Sequence, residues 1–337
     1  MLWIIGWRML RQLIIVLLVL LILALAIASR INKEVFSPPR RALQEYHMDR
    51  LTHPADYGLS IRPYSCFNGN APCLLVEPDG IAGAGKRGKK LRQQLAEKEF
   101  ELPAYGQVKG IIVLLHGLSG RKEDLLPVAE RFVAAGFRCL LIDMPAHGNS
   151  PVNTMSFGGS LFEQDLPAQA LKEIRQAFGL PDEPAALWGM SMGGAFAISA
   201  ASKDSADWDA LMIVSSFSSL GEVLKSQIPD KWQGAVGALM PLLDMECKLR
   251  NRPMIDAIQP QRWAESVTIP SLFVHGERYK TIVPTQGQQL YRAVTHNNKL
   301  WITVTDAGHA NVLATSMPLY SEMSGWLLKQ FSPPPEK

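Results

Sequence analysis

The feature that most constrains this chain is the hexapeptide Gly189-Met190-Ser191-Met192-Gly193-Gly194. A short apolar run, Ala185-Ala186-Leu187-Trp188, leads into it, and the small-residue run Ala195 to Ala201 leads out. The first run reads as a strand and the second as a helix, so the hexapeptide must be a sharp turn between them. Where a strand and a helix nearly touch there is no room for side chains, and glycines flank Ser191 on both sides. A serine in such a G-x-S-x-G turn is held in a strained conformation that presents its hydroxyl, a nucleophile elbow. Taken alone, the pattern also fits a glycine-rich turn that happens to contain a serine.

The chain around it has a regular rhythm. Ile111 to Leu115 is a continuous apolar run, the signature of a strand buried on both faces of a parallel sheet. Glu123 to Ala135 carries apolar residues at helical spacing and stops at Gly136, and Phe137 to Ile142 is the next strand. Leu161 to Phe178 reads as a helix. Ala210 to Val214, Ser271 to Val274 and Leu300 to Val304 read as further strands, with a last helix near Leu319 to Phe331. Upstream, Leu59 to Glu77 has strand character broken at Asn68-Gly69, which predicts a hairpin. Strands alternating with helices imply a mostly parallel, doubly wound α/β sheet.

Two stretches break the rhythm. Residues 217–268 lack a convincing strand and carry Trp232, Met240, Leu242, Leu243, Met245 and Trp263, which suggests an inserted helical cap above the carboxyl ends of the strands. The bland alternative is ordinary outer-layer helices. Residues 80–101 are glycine-rich and then highly charged. Gly83 to Gly88 spells G-x-G-x-x-G, and Gly83 to Lys90 nearly spells a P-loop. Either motif needs a buried strand before it and an apolar helix after it. Here Pro78-Asp79-Gly80 precedes, a charged run follows, and Lys90 stands where a P-loop needs Ser or Thr. A flexible basic excursion at the surface is the expectation, and no nucleotide cofactor is implied.

The amino terminus asks for a membrane. Leu13 to Ala28 is uninterrupted Leu, Ile, Val and Ala between Arg8, Arg11 and Ser29-Arg30. A spanning helix needs about 20 apolar residues, with about 17 as the lower limit, and Met9-Leu10 or Leu2 to Ile5 can extend this run. Residues 1–29 are therefore expected to be a transmembrane signal anchor, with a cleaved signal peptide ending near Ala26-Ile27-Ala28 as the alternative. Both place the domain outside the cytoplasm, which is the periplasm in a bacterium with two membranes. Arg30, Lys33, Arg40 and Arg41 after the helix argue for the opposite orientation. Residues 30–57, polar and containing Pro38-Pro39, read as a linker with a short docking helix, leaving 58–337 as the main domain.

Composition excludes some classes. A formal charge of +3 on 337 residues, without an aromatic-and-basic array, gives no argument for nucleic acid as a partner. None of Cys66, Cys73, Cys139 and Cys247 forms a C-x-x-C pair, so neither a zinc ribbon nor a thioredoxin-type site is supported. Cys66 and Cys73 flank the turn Phe67 to Pro72 and can pair in an oxidising compartment or remain free thiols in a reducing one.

Four motifs in order carry a resemblance: Leu115-His116-Gly117-Leu118, Asp143-Met144-Pro145-Ala146-His147-Gly148-Asn149-Ser150, the elbow, and Asp306-Ala307-Gly308-His309. With them the chain resembles an α/β-hydrolase, closest in pattern to the serine-aminopeptidase and monoacylglycerol-lipase-like branch, over roughly residues 109–331. The resemblance implies an α/β-hydrolase fold and cleavage of a carboxylic ester, thioester or amide through an acyl-serine. Acyl transfer by a serine needs a base within hydrogen-bond reach, and His309, after the last strand, is the candidate. The developing oxyanion needs preorganised donors, for which the backbone amides of Leu118 and Met192 fit. His116, His147 and His275 lie on separate loops without metal-ligand spacing, so no metal is expected, and His116 and His147 are assigned to orienting loops. Asp143 and Asp306 are assigned to holding loops.

The acid is where the chain departs from the family. The usual G-x-x-D before a hydrophobic-Pro pair reads Gly276-Glu277-Arg278-Tyr279-Lys280-Thr281-Ile282-Val283-Pro284, one residue longer. Tyr279 or Lys280 falls at the acid position, depending on the end from which one counts, and neither is a carboxylate. Glu277 is the first candidate, Glu222 the alternative, and a Ser–His pair without an acid the third. The reading is thus a membrane-anchored serine hydrolase acting on a small acyl substrate, lipid-derived in view of the apolar cap and the anchor. The competing reading is a non-catalytic binding or scaffold protein that keeps the fold.

Overall fold

The computed structural model describes residues 2–332 except 82, 205, 206, 230, 232, 279, 280, 310 and 315–317. Trp232, Tyr279 and Lys280 therefore lie outside the described residues. Eight strands form one sheet in the order β1-β2-β4-β3-β5-β6-β7-β8. They are β1 (Leu59–Cys66), β2 (Ala71–Pro78), β3 (Gly110–Leu115), β4 (Phe137–Ile142), β5 (Ala185–Met190), β6 (Ala210–Val214), β7 (Ser271–Gly276) and β8 (Lys299–Val304). β2 runs antiparallel to β1 and β4, and every other pairing is parallel. Every residue of β3, β6 and β7 is buried, as expected of strands covered on both faces. The hairpin turns at Asn68 and Gly69, both with positive φ (52° and 95°).

Alternation of side chains along each strand sends its apolar residues to two cores. One face of the sheet is covered by α5 (Leu161–Phe178), α6 (Met192–Lys203), α9 (Pro260–Ala264) and α10 (Pro284–Ala293). The other is covered by α3 (Lys86–Glu97), α4 (Leu126–Ala134) and α11 (Leu319–Phe331). α5 begins where Ser160 Oγ accepts the amide of Glu163 (3.3 Å) and ends at Gly179 in the left-handed region. The stretch expected to be a flexible basic excursion is instead largely α3. Gly88, Leu91 and Leu95 share one face of this helix, buried against α4, while its lysines face solvent. Its charges mask a helical apolar stripe of only a few residues, which the sequence reading missed.

α1 spans Leu2–Phe36, about 50 Å at 1.5 Å per residue, and is long and apolar enough to cross a membrane. It does not stop at residue 29. It is exposed from Gly6 through Leu23, but Ala28, Asn32, Val35 and Phe36 are buried and the helix packs on α8 (Gln233–Leu249). Asn32 Nδ2 donates to Cys247 Sγ (3.1 Å), and Arg252 donates to the backbone and side-chain oxygens of Asn32 and to Ser37 Oγ (3.0 Å). The rest of the expected linker is also docked. In α2 (Glu45–Thr52), Arg50 reaches the buried Glu130 at 3.3 Å and His47 reaches Asp124 at 2.7 Å. A polar segment can be as fixed as a core strand when its charges find buried partners.

The section 217–268 contains α7 (Leu220–Ser226), α8, a 3-10 turn (Ile255–Ala257) and α9, with no strand among the described residues. α9 packs on α6 and α10 and so belongs to the outer helical layer, whereas α8 packs on α1.

Candidate active site

Parallel strands bring their carboxyl ends to one edge of the sheet, and the loops after β3, β4, β5, β7 and β8 gather there. Ser191 follows β5 at φ 56°, ψ −120°, a strained conformation, and is the N-cap of α6. Close approach is what the glycines allow. A Cβ at Gly189 would lie 2.2 Å from the Gly193 carbonyl oxygen, and one at Gly193 only 2.1 Å from that of Leu115. The turn is tied to the next strand: Ser191 N donates to Val214 O (2.9 Å), and Ser216 Oγ donates to Ser191 O (2.8 Å). Ser216 escaped the sequence reading because its partner is 25 residues away and no local pattern marks it.

The loop after β3 passes beside the serine, with Gly117 close to the Ser191 side chain. His116 and His147 hold this loop. The amide of Met144 donates to His116 Nε2 (3.1 Å), so the other nitrogen, Nδ1, carries the proton and donates to Gly117 O (2.9 Å). The amide of Ser119 donates likewise to His147 Nε2 (3.0 Å), and His147 Nδ1 donates to Pro145 O (2.8 Å). Burial favours the neutral ring in both and pushes His147 down to about 3, with His116 adding to the effect. These are the loop-orienting roles expected of them. Asp143, fully buried, accepts from Lys122 N (2.8 Å), Lys122 Nζ (2.6 Å) and Asn149 N (2.8 Å). Lys122 and Glu123, buried beside it, were also missed by the sequence reading, because a charged pair in sequence normally reads as surface.

Met192 is the first residue of α6, where a helix leaves its backbone amides unsatisfied. The Leu118 amide makes no hydrogen bond among the described residues, and its side chain is 45% exposed. Both amides thus stand at the loop and helix ends flanking Ser191.

His309 is half-buried on the loop after β8. That loop lies across the end of β7, where a Cβ at Gly276 would be 2.5 Å from Ala307 O and Arg278 N donates to Ala307 O (2.9 Å). Burial pushes the His309 imidazole below its ordinary value. It lies close enough to His275, at the end of β7, for charge on one to oppose charge on the other. Asp306 points away and pairs with Arg278 at 2.5 Å, both largely exposed.

Neither candidate acid is brought to His309. Glu277 is exposed and its carboxylate makes no hydrogen bond or ion pair among the described residues, although its amide donates to Val304 O (3.0 Å). Glu222, in the first turn of α7, is 61% exposed and pairs with Lys225 at 3.0 Å.

Strand order, elbow and histidine loop together define a class, and comparison with known proteins agrees. The model of the serine aminopeptidase S33 family matches residues 106–262. The Pyrococcus furiosus esterase Pf2001 superposes with a TM-score of 0.60 at 15% identity, covering 88% of this chain and all of that one. An uncharacterized 31.7 kDa protein of Escherichia coli, from the traX-finO intergenic region, is 23% identical over 63% of this chain and 87% of its own length. A 2-succinyl-6-hydroxy-2,4-cyclohexadiene-1-carboxylate synthase of Yersinia enterocolitica is 40% identical over 88 residues, 26% of this chain and 28% of that enzyme. The fold is that of the α/β-hydrolases, and the family match over residues 106–262 supports a hydrolase of the serine class.

Proposed function

We propose that the protein is a membrane-anchored serine hydrolase that cleaves a carboxylic ester of a small acyl substrate, with Ser191 as nucleophile and His309 as base. The observation that carries the reading is Ser191 at φ 56° on the amino end of α6, beside the Gly117–Leu118 loop. In the first half-reaction Ser191 Oγ attacks the carbonyl carbon as His309 takes its proton. The amides of Leu118 and Met192 stabilise the oxyanion, the C–O bond to the alcohol breaks, and His309 returns the proton to the leaving alkoxide. Water repeats the sequence on the acyl-serine. Half-buried His309, its imidazole held below its ordinary value by desolvation, is neutral near pH 7, as a base must be. α1 serves as the single-pass anchor, with the domain on the extracytoplasmic side, and the apolar α8 beside it suits a lipid-derived acyl group.

A fluorophosphonate probe tests the reading. Wild type should be labelled and Ser191→Ala should not; an unlabelled wild type beside a labelled control hydrolase would leave the alternative, a non-catalytic binding protein. That alternative draws on the exposed positions of Glu277 and Glu222. Glu277 remains the first candidate for the acid, reaching His309 by movement of the loop after β7. Glu277→Gln is then expected to lose at least about ten-fold in ester turnover, where full loss of a triad acid costs about 10⁴. Unchanged turnover removes Glu277 from the site. Protease added to spheroplasts should digest the domain; complete protection would place it in the cytoplasm.

A further inference from the structure

We propose that Cys66 and Cys73 are joined as a structural disulfide in the mature protein, formed while the β1–β2 hairpin folds on the oxidising side of the membrane. In the hairpin register Cys66 faces Ala71 and Tyr64 faces Cys73. Residues opposite one another, and those two positions further along, share a face, so both thiols point to the same side of the sheet. Diagonal positions are ordinarily about 7–8 Å apart at Cα, yet here the side chains turn inward and the sulfurs lie 3.2 Å apart. That is closer than two unbonded sulfurs rest. Both cysteines are essentially without solvent exposure, at 0% and 1%.

Other uses of such a pair find no support. A metal would need further ligands, and no group of three candidate ligands occurs among the described residues. A nucleophile needs a thiolate, but the contact with Cys73 and then burial push Cys66 far above the ordinary thiol value. Competing pairings lack partners in reach: Cys139 lies in β4 with the opposite core, and Cys247 sits on α8 beside Asn32.

The hairpin tip has something to hold. Pro72 O accepts Asp143 N (2.9 Å) and Asn70 O accepts Ser150 Oγ (3.1 Å), which brackets the loop carrying His147. His147 in turn accepts the Ser119 amide beside Leu118. On the other side, Phe67 N donates to Glu173 Oε2 (3.0 Å), and the Phe67 ring meets Phe162 edge-on at 5.2 Å. A crosslink between Cys66 and Cys73 would fix the tip that braces the oxyanion loop from behind.

The chemistry requires a disulfide-bearing thiol oxidant. One cysteine thiolate attacks the oxidant's disulfide, forming a mixed disulfide and releasing one thiol. The second cysteine attacks the mixed disulfide and releases the other. Two electrons and two protons pass to the oxidant. The hairpin forms in microseconds and exchange takes seconds or longer, so the pair must be oxidised before α5 closes over it. Once α5 closes over the pair, reductants reach it only as the chain unfolds.

The test uses the full-length chain, kept from reductant, denatured, alkylated with N-ethylmaleimide and mapped by peptide mass. Without reduction, Cys139 and Cys247 should be alkylated and Cys66 and Cys73 should not. After reduction of the denatured chain all four should be. Alkylation of all four without reduction overturns the proposal. In addition, Cys66→Ser or Cys73→Ser should lower the thermal midpoint by about 5 °C. Reductant during the melt should bring wild type down to the variants and leave the variants unmoved; a wild-type midpoint indifferent to reductant and equal to the variants' overturns the inference. The outcome is independent of whether Ser191 reacts.

Discussion

Ser191 shows how a backbone conformation can set up the proposed nucleophile. Its positive φ aims the side chain away from both the strand it leaves and the helix it caps, and its glycine neighbours let the two backbones meet. The strain is affordable only because surrounding hydrogen bonds, from Ser191 N to Val214 O and from Ser216 Oγ to Ser191 O, determine the turn. At His309 the residue-scale effect is electrostatic. Burial disfavours the imidazolium, so the folded-state value lies below 6.5 and the ring stays neutral to lower pH than a free histidine. If His309 is the base, as proposed, it works neutral, and kcat/KM should be flat from neutral pH upward and fall only below pH 6.5. A stopped pH series on a soluble ester measures this. An acid limb centred above 6.5 would contradict burial as the dominant influence and point to a carboxylate partner.

At the scale of elements, the informative join is between α1 and α8. A helix that only tethers a domain has no need of a buried polar residue, yet Asn32 is fully buried and its oxygens are both held by Arg252. Phe36, the last residue of α1, meets Phe157 edge-on at 5.9 Å, and Phe157 meets Phe217 at 6.2 Å in the loop after β6. The helix is thus packed through to the loops around Ser191. Removing one partner of a buried hydrogen-bonded group costs about 1–3 kcal/mol. Arg252→Ala should therefore loosen α8 from α1, seen in detergent as faster proteolysis within residues 230–252 while the sheet resists. Equal cleavage rates in variant and wild type would show that the clamp is not needed to hold the helix.

Across the whole molecule the histidines act together on stability. Burial lowers His47, His116, His147, His275 and His309, His147 to about 3. Above pH 6.5 they are neutral in folded and unfolded chains alike and contribute no pH dependence. As pH falls through 6.5, the unfolded chain binds protons that the fold refuses, and stability declines, down to about 3 for His147. Glu163 works the other way. Its carboxyl is raised by burial to about 7, so the fold binds its proton first and gains stability between there and 4.5. With five histidines against Glu163, the thermal midpoint should drop as pH is lowered from neutral to about 5. A midpoint that rises over that range would mean that Glu163 dominates.

Much of this architecture was legible in the residues themselves. The continuous apolar runs of β3, β6 and β7 can only be strands covered on both faces, and the glycines around Ser191 can only serve a close crossing, because sterics act locally and leave local marks. The order of the four motifs was likewise enough to bring the Ser191 and His309 loops to one edge. What the sequence could not decide were the partnerships between distant segments. Residues 30–57 read as a linker with a short docking helix because their polarity is visible and their partners, the buried Glu130 and Cys247 and the half-buried Asp124, are not. α3 read as a mobile basic stretch because three buried positions are too few to outweigh its lysines in any local window. The acid was open in the sequence and the tertiary structure turned both candidates outward, since a carboxylate's role depends on which imidazole its loop is folded against. Local sterics belong to the sequence; desolvation and long-range pairing exist only once the chain has closed on itself.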